Sequence, residues 1–201
     1  MFYSEKRAKE FLKENKFEIL DSVYVRKISE IKKISDKLNF PVVVKIFGDK
    51  IVHKKNIGGV KLNVKNYEEI LGIFQKFGKI KNFEGIVIQE QVKGTEILLG
   101  LKRTPEFHQV IVFGRGGSDV EKAKDVSFRI IPLDKKDALE MMKETKIFSK
   151  LKRKEIKSIL KNIFLLNKLS QKHPRISELD INPLMIQDKF AKIIDARILF
   201  S

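Results

Sequence analysis

The run Phe40-Pro41-Val42-Val43-Val44-Lys45-Ile46 is the strongest constraint on how this chain can fold. Pro41 opens it and three valines continue it, a continuous β-branched stretch that predicts a buried strand. Lys45 then stands where a core strand would take another valine or isoleucine. A buried ammonium needs an anion. Residues 47–57 read as a long loop carrying His53, and Gly58-Gly59 precedes a second strand, Val60 to Val64. Paired glycines let backbone N–H groups approach a phosphate closely, and the strand lysine supplies a point charge. Taken alone, Gly-Gly between strands is more often a plain turn.

Two further stretches carry chemistry. Gly85 to Glu90 is a second β-branched run ending in a carboxylate, followed by Gln91 to Glu96 and another strand, Ile97 to Leu101. The spacing suits a nucleoside: Glu90 can accept from an exocyclic amine, the backbone at Val92 can face the ring edge, and Glu96 can accept from ribose hydroxyls. The plain alternative is a pair of solvated strand-end glutamates. Near the C-terminus, Glu178, Asp180 and Asn182 share one segment. Leu184 to Gln187, Asp188-Lys189 and Phe190 to Ile194 then read as strand, turn and strand. That hairpin would set Asn182 beside Asp195. A carboxylate and an amide oxygen suit Mg²⁺, which takes hard oxygens and leaves other positions to water and substrate phosphates. The same pattern also fits a hairpin with a wet polar face.

Helices are expected for about three turns after Ser4 as cap, with Ala8, Phe11 and Leu12 on one face, over Glu30 to Leu38 with Ser29 as cap, and over Tyr67 to Phe77 with Asn66 as cap. Two more are expected over Asp134 to Glu144 and Arg153 to Gln171, and His108 to Phe113 reads as a strand. Apolar residues make up 42% and charged residues 34% of 201, the balance of a globular domain. No apolar stretch approaches the roughly 20 residues that span a bilayer, and the charged N-terminus is unlike a secretory signal, so a cytoplasmic protein with no membrane association is expected. With no cysteine, thiolate nucleophiles and thiolate metal sites are excluded. A net charge of +16, from 42 basic and 26 acidic residues, attracts polyanions such as ATP, CoA, nucleic acid or an acidic partner. The lysines are dispersed and not interleaved with aromatics, so nucleic-acid binding finds no specific support.

Lys45, the loop HKKNIGGVK, the segment VIQEQVKGTEILLG, KDVSFRIIPL and ELDINPL with DARI occur in one order. In that order the chain resembles the ATP-grasp nucleotide-binding (beta) subunits of ADP-forming acyl-CoA synthetases, over roughly residues 4–199. The resemblance implies an α+β ATP-grasp unit covering 1–201, with subdomains near 20–90 and 91–201 clamping a nucleotide between sheets. It implies binding of ATP or ADP through Lys45, Gly58, Gly59, Glu90, Val92 and Glu96, and of Mg²⁺ through Asn182 and Asp195. It implies that His53 relays a phosphoryl group, with Lys45 and Arg129 neutralising charge, and that the segment Gly114 to Gly117 covers phosphates. The expected partner is a CoA-binding alpha subunit, two copies of each chain forming an α2β2 assembly, because no GxGxxG loop or CoA-binding domain occurs here.

Lys55 and Asn56 depart from the family loop, which reads closer to HKSDVGGV. Losing an acid there removes a group that could orient the imidazole. Two other readings stay open at this level: another ATP-grasp ligase that forms an acyl phosphate without His53, and a non-catalytic protein binding nucleotide or nucleic acid.

Overall fold

The computed structural model describes all residues except Asp49, Val52, His53, Lys55 and 118–123. The chain divides into two compact units, Leu20–Val92 and a second that joins Met1–Ile19 to Lys93–Ser201.

The smaller unit is a four-stranded antiparallel sheet in the order β2 (Val23–Val25), β5 (Gly85–Glu90), β3 (Val42–Phe47) and β4 (Val60–Val64). Helices α2 (Ile28–Ser35) and α3 (Tyr67–Phe77) belong to the same unit. Val42, Val44 and Ile46 of β3, with Ile86 and Ile88 of β5, form one core with Ile31, Ile70 and Phe77 of the helices. Period two therefore turns Val43, Lys45 and Phe47 to the opposite face. Asn66 caps α3 as expected, its side-chain oxygen accepting the Glu69 N–H at 2.9 Å. The start of α2 differs from expectation. The helix begins at Ile28 after an extended Lys27 and ends at Ser35 instead of Leu38. Glu30, not Ser29, satisfies the helix start, accepting the N–H groups of Arg26 at 2.8 Å and Lys27 at 3.1 Å. These bonds, Lys27 first, hold the Glu30 carboxyl below the usual range. A carboxylate one turn into a helix can reach back to donors that a short serine leaves open.

The larger unit is a seven-stranded antiparallel sheet in the order β1 (Phe2–Tyr3), β11 (Ala196–Phe200), β9 (Ile176–Gln187), β6 (Thr95–Thr104), β7 (His108–Arg115) and β8 (Val126–Ile130), with β10 (Phe190–Ile193) paired to β9. One core joins Ile97, Leu99, Ile111, Phe113, Leu179 and Ile181 of the sheet to residues of α1 (Glu5–Glu14), α4 (Lys135–Lys143) and α5 (Arg153–Lys172). Ser4 occupies the cap position of α1 without a side-chain cap bond; its carbonyl accepts the Ala8 N–H at 2.9 Å. Asp134 caps α4, accepting the Asp137 N–H at 2.8 Å.

Met1–Ile19 joins this unit for identifiable reasons. Strand β1 pairs with β11, and Ile19 bridges Ile193 in parallel. Lys9, 5% exposed, lies 3.7 Å from Glu5 and donates to the Ile194 carbonyl at 3.0 Å. A buried lysine thus holds the bend immediately before Asp195.

Replacing Asn66 by alanine should lower the unfolding free energy by about 1 kcal/mol through loss of the cap. Ile97→Ala, which opens a cavity beneath β6, should lower it by about 2–5 kcal/mol. Urea denaturation followed by circular dichroism measures both.

Candidate functional site

Among the described residues the helices of each unit pack against one face of its sheet, and the candidate functional residues lie largely on the other. In the smaller unit Lys45 sits opposite Val60 on β4 and Val87 on β5. It is 7% exposed, on the helix-free face. The glycine pair is tied down by its own backbone. Gly59 donates to the Lys54 carbonyl at 2.7 Å and its carbonyl accepts the Ile46 N–H at 2.8 Å. A Cβ at Gly59 would overlap the Ile46 side chain, while Gly58 takes a positive φ of 67°. Both glycines are therefore demanded by the turn. The Gly59 N–H, expected to face a phosphate, is already used by Lys54. His53 lies outside the described residues.

Glu90 ends β5 with its side chain exposed, and Val42 is its partner on β3. Gln91 follows, its N–H donating to the Pro41 carbonyl at 3.3 Å and its side-chain oxygen accepting the Asn63 N–H at 2.5 Å. Those two bonds fix the backbone next to Val92. Glu96 belongs to the larger unit, on β6 opposite Met185.

The most detailed geometry surrounds Asn182. Leu99 pairs with Ile181 and Ile97 with Leu184, so Leu98 alone faces Asn182 and Pro183, a bulge in β9. Such an insertion redirects a side chain out of the ladder. The Asn182 N–H donates to the Asp195 carbonyl at 3.1 Å, which places the two residues opposite one another across β9 and the bend before β11. The Asn182 side-chain oxygen accepts the Gly117 N–H at 2.8 Å, and its amide nitrogen approaches the Gly117 carbonyl at 3.5 Å. Gly116 donates to the Glu96 carbonyl at 2.8 Å. Gly117 has φ of 97°, and a Cβ there would overlap the Glu96 carboxylate. The N–H groups of Gly116 and Gly117, expected to cover phosphates, are thus spent on Glu96 and Asn182.

The donors fit Mg²⁺. An amide oxygen has two lone pairs, so Asn182 keeps one after bonding Gly117, and Asp195 adds a carboxylate. Among the described residues no group of three or more His, Cys, Asp or Glu is arranged to hold a metal, so this pair would rely on substrate phosphates for further ligands. Asp180, on the same strand, is paired with Arg197 at 3.3 Å; burial raises its carboxyl and the arginine opposes that rise.

Arg129 is engaged elsewhere. Its guanidinium forks onto Glu144, at 3.0 Å to Oε2 and 2.5 Å to Oε1, and the Ser127 hydroxyl donates to the same carboxylate. The Asp125 carboxylate accepts from the N–H groups of Lys146 and Ile147 at 2.6 and 3.0 Å. Together these bonds staple β8 to the corner after α4. Sequence reasoning missed Glu144, Lys9 and the contact between Asn182 and Gly117, because each joins residues far apart in the chain.

The ATP-grasp domain family model matches residues 2–200. The acetate–CoA ligase (ADP-forming) I subunit beta of Pyrococcus furiosus is 35% identical over 97% of this chain and 90% of its own length. The acetate–CoA ligase (ADP-forming) II of Archaeoglobus fulgidus is 34% identical over 98% of this chain, which spans 30% of that longer protein. A structure of the acetyl-coenzyme A synthetase 1 of Candidatus Korarchaeum cryptofilum, in complex with coenzyme A and Mg-AMPPCP and with its phosphohistidine segment pointing towards the nucleotide binding site, matches with a TM-score of 0.83. It is 30% identical, covering all of this chain and 93% of that one. The chain belongs to the ATP-grasp family, in the branch of ADP-forming acetate–CoA ligase beta subunits. Among the described residues no helix is long and apolar enough to cross a membrane.

Arg129 hydrogen bonds first, then Ser127, hold the Glu144 carboxyl at about 2, against an ordinary value of 4.5. Because the folded value lies below the unfolded one, this carboxylate stabilises the fold above about pH 4.5, and that stabilisation fades as pH falls toward 2. Thermal melts should show wild type above Glu144→Gln at pH 7, with the difference shrinking from about pH 4.5 downward and lost only below about pH 2.

Proposed function

We propose that this chain is the nucleotide-binding beta subunit of an ADP-forming acyl-CoA synthetase, making ATP reversibly from ADP, phosphate and an acyl-CoA. The observation that carries the reading is similarity across 97% of the chain to a beta subunit of nearly the same extent. The structural likeness to a synthetase holding Mg-AMPPCP supports it.

In this reading Lys45, Gly58, Gly59, Glu90, Val92 and Glu96 are nucleotide-binding residues, and Asn182 and Asp195 are metal ligands. Lys45 supplies a positive charge that neutralises the phosphates. Glu90 accepts from the exocyclic amine of the base, the backbone at Val92 faces the ring edge, and Glu96 accepts from ribose hydroxyls. Asn182 and Asp195 hold Mg²⁺, whose charge neutralises and orients the diphosphate.

His53 receives the phosphoryl group from a phosphohistidine of the alpha subunit, the donor's P–N bond breaking as one forms to His53, and hands it to ADP: the P–N bond to His53 breaks as a P–O bond forms to a β-phosphate oxygen, returning neutral imidazole. Neutral histidine is nucleophilic near neutral pH, and its phosphorylated form is reactive enough for the transfer. Alignment and charge neutralisation supply most of what phosphoryl transfer requires. Arg129 enters this scheme through β8, which it holds in place by pairing with Glu144.

The acyl-CoA half of the reaction falls to a CoA-binding alpha subunit, two copies of each chain assembling as α2β2 in the cytoplasm. The net charge of +16 favours ADP, ATP and an acidic partner surface.

In the assembled complex His53→Ala should abolish acyl-CoA-dependent ATP synthesis while leaving Mg-ADP binding by calorimetry within about twofold. Unchanged synthesis in that variant would refute the relay and favour a ligase that forms an acyl phosphate directly. Asp195→Ala should weaken Mg-ADP binding at least tenfold and leave metal-free ADP binding nearly unchanged, as a ligand acting only through the ion requires.

A further inference from the structure

The segment Gly114 to Gly117 leaves β7 and lies over β6 at Glu96 and Ile97. Its closeness is absolute at two points. A Cβ at Gly116 would lie 2.6 Å from the Ile97 backbone, and one at Gly117 would overlap the Glu96 carboxylate. Such an approach needs a tether. One tether is backbone, from the Gly116 N–H to the Glu96 carbonyl at 2.8 Å. The other is the side chain of Asn182, 65 residues away in sequence, whose oxygen takes the Gly117 N–H at 2.8 Å while its nitrogen stands 3.5 Å from the Gly117 carbonyl. Asparagine carries its acceptor and its donors on two separate atoms, and so can face both groups of one peptide residue at once. A ligand serving only a metal would use only the oxygen.

We propose that Asn182 is a positioning residue for the nucleotide site: its amide, closed on Gly117, packs the glycine segment against Glu96 and fixes that carboxylate for the ligand, whether or not a metal is bound. This rests on the reading that Glu96 contacts the nucleotide. The bulge supports it, since an extra residue in β9 turns Asn182 toward Gly117. The packing supports it as well: with Gly117 against its carboxylate, Glu96 loses rotamers it would otherwise sample, and a ligand that meets a preset carboxylate loses less entropy on binding.

The two roles separate when the metal is removed. ADP is titrated by calorimetry into the intact chain in EDTA and again in Mg²⁺, for wild type, Asn182→Ala, Asn182→Asp, Glu96→Gln and the double variant Asn182→Ala with Glu96→Gln. Asn182→Ala should weaken metal-free ADP binding about tenfold, the scale of one lost hydrogen-bonded position. Asn182→Asp, which keeps the acceptor for the Gly117 N–H but loses the donor to its carbonyl, should recover only part of that loss. The double variant should bind no more weakly than Glu96→Gln alone, because Asn182 acts through that carboxylate. Metal-free affinity within twofold of wild type for Asn182→Ala would overturn the proposal and leave the asparagine as a metal ligand only. A lowered melting temperature with unchanged ADP affinity would overturn it too, as a purely structural role. Wild-type chain that binds no ADP in either buffer would overturn the nucleotide reading itself and this inference with it, a result distinct from normal binding that ignores Asn182.

Discussion

Antiparallel sheets can bury one face and leave the other for polar groups, and both units are built on that division. Helices cover one side of each sheet, where Val44, Ile46 and Ile88 in one unit and Leu99, Ile111 and Ile181 in the other are at most 1% exposed. The uncovered side is where the same strands carry Lys45 or Asp180. A strand of period two cannot supply a core without presenting a second set of side chains opposite it, so a second face open to polar residues comes with the packing.

Departures from regular pairing sit beside the candidate residues. The β9 bulge falls at Asn182 and Pro183, and the positive φ of Gly117 lies directly on Glu96. Each departure is held by hydrogen bonds to a neighbouring strand, so the irregular backbone is fixed in one arrangement. Lys9 does the same from α1, reaching the carbonyl just before Asp195. Carboxylates of the larger unit are handled in two ways: Glu144 is consumed in a fork with Arg129 that organises β8, whereas Asp180 is partly desolvated beside a single arginine contact.

Much of this was legible in the chain. The β-branched runs located β3 and β5, Asn66 located the start of α3, and the turn at Asp188-Lys189 located the hairpin of β9 and β10. These signals are local: a cap, a period or a tight turn is set by residues within a few positions of one another. Expectations failed where a local signal met a competitor of similar strength. Ser29 was a credible cap for α2, but Glu30 reaches two N–H groups at once.

By itself, then, the sequence determined the alternation of strands and helices, the unusual lysine in β3, the hairpin that sets Asn182 opposite Asp195, and membership in the ATP-grasp family. Only the tertiary structure decided that Met1–Ile19 completes the larger unit, that Arg129 belongs to Glu144, and that Asn182 closes on Gly117. The physical reason is range. Periodicity and capping act over a few residues and leave a trace in the order of side chains. A hydrogen bond between residues 65 apart depends on a bulge and a sheet register that no short stretch encodes.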